Sequence, residues 1–223
     1  MRASPPIEAV IFDMDGVLTD SEPLINEAAV AMFRERGVPA RPEDFRPFVG
    51  TGEDRYLGGV AELHGVALDL AEAKRRTDEI YLALVPTRLR AFPGAVELVR
   101  ACRASGLKVA VASSADRIKI DANLARIGLP PAEWDALVSA EAVTHKKPAP
   151  DIFLAAARLL AVSPSACVVV EDAVNGVQAA RAAGMRCVAV AHSFPPEELA
   201  AADRVFPRIA DLTPAQIIAP PVP

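Results

Sequence analysis

An α/β fold, with a parallel sheet between layers of helices and an all-helical unit inserted into it, is what this sequence predicts. Three observations carry the prediction. Short valine-rich apolar runs alternate with longer helical patterns along most of the chain. Those runs lack the apolar–polar alternation of a half-exposed strand, which suits strands buried on both faces. One long stretch, from about Glu22 to Ala91, shows helical periodicity and no convincing strand. Strand–helix alternation of this kind puts helices on both faces of a parallel sheet, a Rossmann-like arrangement.

The elements follow in order. Ala9–Phe12 is the first strand. The chain then leaves the sheet for amphipathic helices over Glu27–Arg36, Asp54–His64 and Leu70–Leu84, whose joints carry Gly37, Pro39, Pro42 and Pro47. It returns at Phe92-Pro93-Gly94. Residues 1–21 and 92–223 are therefore expected to form the α/β core, and residues 22–91 a helical cap. Further strands are expected at Lys108–Ala112, Ala136–Ser139, Cys167–Val170 and Arg186–Ala191. Helices are expected at Ala95–Ser105, Arg117–Ile127, Pro150–Ala161, Val174–Ala183 and Pro196–Ala202. Gly106, Gly128 and Gly184 sit where helix C-terminal caps belong.

Composition narrows the function classes. Of 223 residues, 52% are hydrophobic, ample for a core. No run reaches the roughly 18 uncharged apolar residues of a membrane span. A net charge of −5 without a long basic block argues against nucleic acid or an anionic membrane as partner, and leaves a small anionic substrate open. Cys102, Cys167 and Cys187 make an odd count without CxxC spacing, which points to buried thiols in a reducing compartment. The first residues, MRASPPIEAVIF, lack an apolar signal segment. The expectation is a cytoplasmic monomer, or one of the plastid stroma where a transit peptide has been removed.

Acidic and hydroxyl groups follow the predicted strands. Asp13 and Asp15, in Asp13-Met14-Asp15-Gly16, come at the end of the first. Ligands of open parallel sheets bind beyond the carboxyl ends of the strands. Two carboxylates in one crevice repel each other, and a divalent cation such as Mg²⁺ offsets that repulsion. The plainer reading is an Asp-rich loop capping the next helix. Glu171-Asp172 follows the strand Cys167–Val170, and a polar turn is its plainer reading; two acidic clusters at two strand ends weaken both plain readings. Ser113 and Ser114 follow Lys108–Ala112, where a hydroxyl and nearby N–H groups make a phosphate-binding corner, or a simple N-cap. Lys147, in Lys146-Lys147-Pro148-Ala149-Pro150, is a surface lysine or a cation held near the site to neutralise a nucleophile and a phosphoryl group.

Together, FDMDG, Ser113, KKPAP and VVVEDAVNG stand in the order and spacing of the haloacid dehalogenase superfamily, and the chain resembles that family from about Ala9 to Leu212. The insertion after the first motif is similar to the C1 helical cap of the beta-phosphoglucomutase-like subfamily. FVGTGEDRYLGGVA, KVAVASSADRIK and KPAPDIFLAAA resemble the hydrolase domain of a plant chloroplast protein of photoprotection and its small bacterial relatives. The resemblance implies hydrolysis of a small phosphate monoester, such as a sugar phosphate, with Mg²⁺ and an aspartyl-phosphate intermediate. It implies Asp13 as nucleophile, Asp15 as general acid/base, Ser113, Ser114 and Lys147 around the phosphate, and Asp13, Asp15, Glu171 and Asp172 around the metal. Asp15 separates the chain from true dehalogenases, which do not follow the DxD arrangement and need no magnesium. Mutases of the family carry a histidine where this chain has Ile25, and a lysine where it has Val49. A phosphatase is therefore expected, with a phosphomutase and a low-turnover phosphate-sensing or interaction domain as alternatives. Gly50, Thr51 and Arg55, in a glycine-bearing loop of the cap, are the expected substrate contacts. His64, His145 and His192 are read as structural or exposed, and Trp134 and the cysteines as packing residues.

Overall fold

The computed structural model describes residues 5–49 and 52–220. The apolar runs are strands: β1 (Ala9–Phe12), β2 (Lys108–Ala112), β3 (Ala136–Val138), β4 (Cys167–Glu171) and β5 (Arg186–Val190). A short β6 (Arg204–Phe206), which the sequence did not announce, completes a six-stranded sheet of order β3-β2-β1-β4-β5-β6. Every pairing is parallel.

Between β1 and β2 the chain forms α1 (Glu22–Glu35), α2 (Glu53–Leu63) and α3 (Leu70–Arg88), then α4 (Ala95–Ala104). The later helices are α5 (Arg117–Arg126), α6 (Asp151–Leu160), α7 (Val174–Ala182) and α8 (Pro214–Ile218). Strand alternation divides the core. Ala9 and Ile11 face a layer with Ile152, Phe153 and Val177. Val10 and Phe12 face the other, with Leu98, Val99 and Leu124. Burial of each large side chain contributes about 1.5–3 kcal/mol.

The segment from α1 to α3 has apolar clusters of its own. Phe33 packs edge-on to Phe45, and Phe45 lies against Tyr56. A second cluster joins Leu24, Tyr81 and Val85. Its exit and return run side by side: Thr19 pairs antiparallel with Ala91, Asp20 N–H donates to Arg90 O at 3.0 Å, and Phe92 N–H donates to Leu18 O at 3.0 Å.

The expected helix over Pro196–Ala202 is not formed; the residues make successive turns, as where Leu199 N–H donates to Pro196 O at 3.1 Å. The chain must instead seat Asp203 beside β5. Its N–H donates to Cys187 O at 2.9 Å, and its carboxylate accepts from Cys187 N–H at 2.7 Å. This pairing leads into β6.

Candidate active site

The strand order brings distant chain segments to one edge. β1 lies between β2 and β4, with Phe12 opposite both Val111 and Val170. Successive strands were added on one side of β1 and then on the other, so their carboxyl ends part at β1 and leave a crevice. Asp13 N–H continues the ladder to Val170 O at 2.9 Å, and Ser113 N–H does so to Val138 O at 3.0 Å. Asp13, Ser113, Glu171 and Asp172 thus share one end of the sheet, and all are buried.

Lys147 reaches this cluster from the loop before α6. Its Nζ donates to Asp13 Oδ1 at 2.5 Å and to Glu171 Oε1 at 2.6 Å, and lies over the Phe153 ring. Burial works against its charge, but Asp13 and Glu171 outweigh burial and hold the ammonium above its ordinary range. The other Glu171 oxygen accepts from the N–H groups of Asp172 and Ala173, both at 2.7 Å. Glu171, expected among metal ligands, therefore has both oxygens engaged, and it buttresses the lysine.

Asp15 lies on the turn after β1. Its Oδ1 accepts from Ser21 Oγ at 2.5 Å, and its Oδ2 from Ser113 Oγ at 3.4 Å. Burial raises its carboxyl, against the pull of Ser21 and Lys119. Gly16 makes this turn possible. Its φ is +82°, and a Cβ there would lie 1.9 Å from Asp172 Oδ2. Asp172 thus packs over the turn, next to Ser193. His192 secures the turn from behind: its Nδ1–H donates to Gly16 O at 2.8 Å, and its Nε2 accepts from Ile209 N–H at 3.1 Å.

Positive charge falls short here. Burial lifts Asp13 to about 8; Lys147 pulls it down, and Glu171 and Asp15 push it further up. Asp172 is raised well above the carboxylate range by burial, then by Glu171 and Asp13. One lysine among buried carboxylates leaves them under-neutralised, and hard oxygen donors beside a crevice suit a small divalent cation. Asp13, Asp15 and Asp172 fit such an ion by this chemistry. A second acidic group, Glu53, Asp78 and Asp116, also gathers its carboxylates within 4.8 Å. Lysines already neutralise it: Lys119 Nζ lies 2.9 Å from Glu53 and 2.7 Å from Asp78, and Lys74 Nζ 3.2 Å from Asp116.

A cavity of about 130 Å³ opens over the cluster. Asp13, Asp15, Ser113, Ser114 and Lys147 line its floor; Ile25, Phe48, Val49 and Tyr56 line it from the helical segment. Glu53, of the glycine-bearing loop expected to contact substrate, lines it too, as do Glu22, Lys119 and Ser193, which sequence reasoning missed. Glu22 carried the one local signal, an acid closely following the DxD turn. Lys119 carried none, because its pairing with Glu53 joins helices far apart in the chain. Ile25 and Val49, noted as apolar replacements, do face the cavity. Gly50 and Thr51 lie outside the described residues. Arg55 is not among the lining residues; its guanidinium pairs with Glu62 at 2.7 Å and lies over Phe48. Trp134 packs on Phe12, and the cysteines are free and buried.

The family model described as haloacid dehalogenase-like hydrolase matches residues 7–184. Protein SUPPRESSOR OF QUENCHING 1, chloroplastic, of Arabidopsis thaliana is 58% identical over 187 residues, 82% of this chain and 18% of that protein, so the chain spans less than a fifth of that relative. Hexitol phosphatase B of Escherichia coli strain K12 is 34% identical over 192 residues, 85% of this chain and 86% of that protein. Among solved structures, a mutant of CbbY from Rhodobacter sphaeroides, in complex with xylulose-(1,5)bisphosphate, is 30% identical and matches with a TM-score of 0.88 over 96% of this chain and 100% of that one.

Proposed function

The chain belongs to the haloacid dehalogenase-like hydrolases, and from that membership we propose that it is a magnesium-dependent phosphatase acting on a small phosphate monoester, a sugar phosphate or related metabolite, through an aspartyl phosphate. The observation that carries the reading is the Lys147 ammonium between Asp13 and Glu171 at the sheet's switch point. It fixes one oxygen of Asp13 and places positive charge where a phosphoryl group would arrive.

In this reading the other Asp13 oxygen attacks phosphorus. The bond to the ester oxygen breaks, and Asp15 gives that oxygen its proton. Burial, which raises the Asp15 carboxyl, favours the protonated form this step needs. Asp15 then takes a proton from water, the water oxygen attacks the phosphoryl group, and Asp13 leaves as carboxylate with inorganic phosphate. Ser21 orients Asp15, and Ser113 and Ser114 border the phosphate position. Asp13, the Asp15 main-chain carbonyl and Asp172 would hold a magnesium ion, which supplies further neutralisation of phosphoryl charge. The helical segment acts as a cap that closes the cavity against bulk water. Apolar Ile25 and Val49 offer no group to retain a phosphorylated enzyme for a returning sugar, which favours hydrolysis over mutase chemistry.

The test is release of phosphate from a panel of esters, with magnesium and with excess chelator. Wild type should turn over only with the metal, and Asp13→Asn should lose at least about a thousandfold in rate with an unchanged circular dichroism spectrum. Undiminished turnover by Asp13→Asn would sink the reading.

A further inference from the structure

The cavity over the acidic cluster has two chemical ends. Its floor is charged and polar, with Asp13, Asp15, Ser113, Ser114, Lys147 and Asp172. Its walls carry apolar side chains: Ile25, Phe48 and Val49 from the helical segment, and Phe194 from the loop after β5. The protein buries each of these four only in part, so each keeps apolar surface that a ligand can remove from water.

The aromatic wall is held in place. Phe48 ends the short helical turn Pro42–Phe48 and seats its ring against α2 at Gly59, where a Cβ would lie 2.4 Å from Phe48 Cε1. The Arg55 guanidinium lies over the same ring and pairs with Glu62, outside the cavity lining. The polar side chains of the walls are engaged by the protein itself. Glu53 is held by Lys119 at 2.9 Å and by Lys74 at 3.5 Å, and Lys119 is shared with Asp78 at 2.7 Å. Tyr56 Oη accepts from Asn26 Nδ2 at 3.1 Å. Glu22 stands by the turn after β1: burial, then repulsion from Asp15 and Asp20, lifts it to about 7.

These surroundings discriminate between organic groups. A hydroxyl laid against Ile25, Phe48, Val49 and Phe194 would give up its water without gaining a partner from them, which costs free energy. A flat apolar ring in the same place gives up no hydrogen bond, buries apolar surface against apolar surface, and gains further from contact between aromatic rings.

We propose that the ester cleaved here is the monophosphate of an alcohol bearing a flat apolar ring: the phosphate takes the polar floor, and the ring packs on Phe48, Phe194, Ile25 and Val49. The inference rests on the phosphatase reading and deepens it, moving the substrate from polyhydroxylated sugars to a related metabolite with an apolar ring.

Benzyl phosphate and glucitol 6-phosphate separate the alternatives. Both are esters of primary alcohols, so the leaving oxygen is alike and the organic group sets the difference. Each result is a ratio of kcat/KM values on one enzyme sample, so a loss of folded protein cancels. Wild type should prefer benzyl phosphate by about tenfold or more. Phe48→Ala and Phe194→Ala strip the two walls separately, and each should reduce that preference by about fivefold, chiefly through the KM for benzyl phosphate. Val49→Thr keeps the side-chain shape and adds a hydroxyl, which should bring glucitol 6-phosphate about threefold closer. Wild-type turnover of glucitol 6-phosphate equal to or better than that of benzyl phosphate, or a ratio unmoved by either phenylalanine substitution, would overturn the proposal and leave the phosphatase reading standing. So would release of phosphate from other esters but not from benzyl phosphate. No release from any ester by wild type would overturn both.

Discussion

His192 shows how one side chain holds the turn after β1 without lining the cavity. Its ring stacks on Phe92 with centroids 4.0 Å apart, donates to Gly16 O and accepts from Ile209 N–H. Only the neutral ring with its proton on Nδ1 can do both. Burial lowers its pKa, against the pull of the Gly16 carbonyl and Asp20. The unfolded chain therefore takes up this proton at higher pH than the folded one, and stability from His192 is full above about 6.5. It is lost as pH falls through the lower, folded value. His192→Phe keeps the stack and loses both hydrogen bonds, which costs about 2 kcal/mol at pH 7.5. In urea unfolding at successive pH values, that gap should narrow steadily below pH ~6.5, as protonation costs wild type the same contacts. A gap constant with pH would mean that the neutral ring is not what holds the turn. Taking the difference between variants removes the opposing contribution of Glu22 and Asp13, whose raised carboxyls favour the fold at low pH.

At the scale of elements, the first turn of α7 sets the position of Lys147. Glu171, at the end of β4, accepts from N–H groups at the start of α7 and presents its other oxygen to the lysine. Room for this comes from Gly176, where a Cβ would lie 1.7 Å from Glu171 Oε1. Gly176→Ala must displace the carboxylate, and Lys147 then loses one of its two anchors. A drop of about a hundredfold in kcat is expected, since small misplacements in a positioned site have effects of that size. Gly58, in α2, is a helical glycine with ordinary space, its nearest contact being Leu70 Cδ2 at 3.6 Å. There alanine should stabilise by up to about 1 kcal/mol through helix propensity. Thermal melts and steady-state kinetics on the two variants separate helix propensity from crowding at the site.

Across the whole molecule, the helical insertion meets the α/β core at a charged boundary next to the cavity. Lys119 of α5 joins Glu53 at the start of α2 to Asp78 of α3, while Tyr81 Oη donates to Asn123 Oδ1 at 3.0 Å. Burial opposes the Lys119 charge, but Glu53 and Asp78 prevail and raise it. Lys119→Met leaves two carboxylates facing each other at a mostly buried boundary, a loss of about 3 kcal/mol. The loss should be local. Amide hydrogen exchange in α2 and α3 should quicken while α6 and α7 keep their protection, and KM should rise more than kcat falls. Uniformly faster exchange would show that the lysine supports the fold as a whole and does not specifically hold the insertion.

Local chemistry made much of this protein legible in its sequence. Valine runs such as Cys167–Val170 announce buried strands because few other elements tolerate them, and amphipathic periodicity announced α2 and α3. Asp13, Asp15, Ser113 and Asp172 stood out because each follows a strand, and Lys147 because it precedes a proline that leads into a helix. Tertiary structure alone decided the rest. Glu171 buttresses Lys147 because the start of α7 lies under it, the turns over Pro196–Ala202 yield to Asp203 on the edge of β5, and Glu22 and Lys119 acquire roles from neighbours contributed by other elements. The physical reason is that periodicity and turn chemistry are properties of adjacent residues. Pairing between charges, and the burial that shifts their protonation, depend on distances through space that no local pattern encodes.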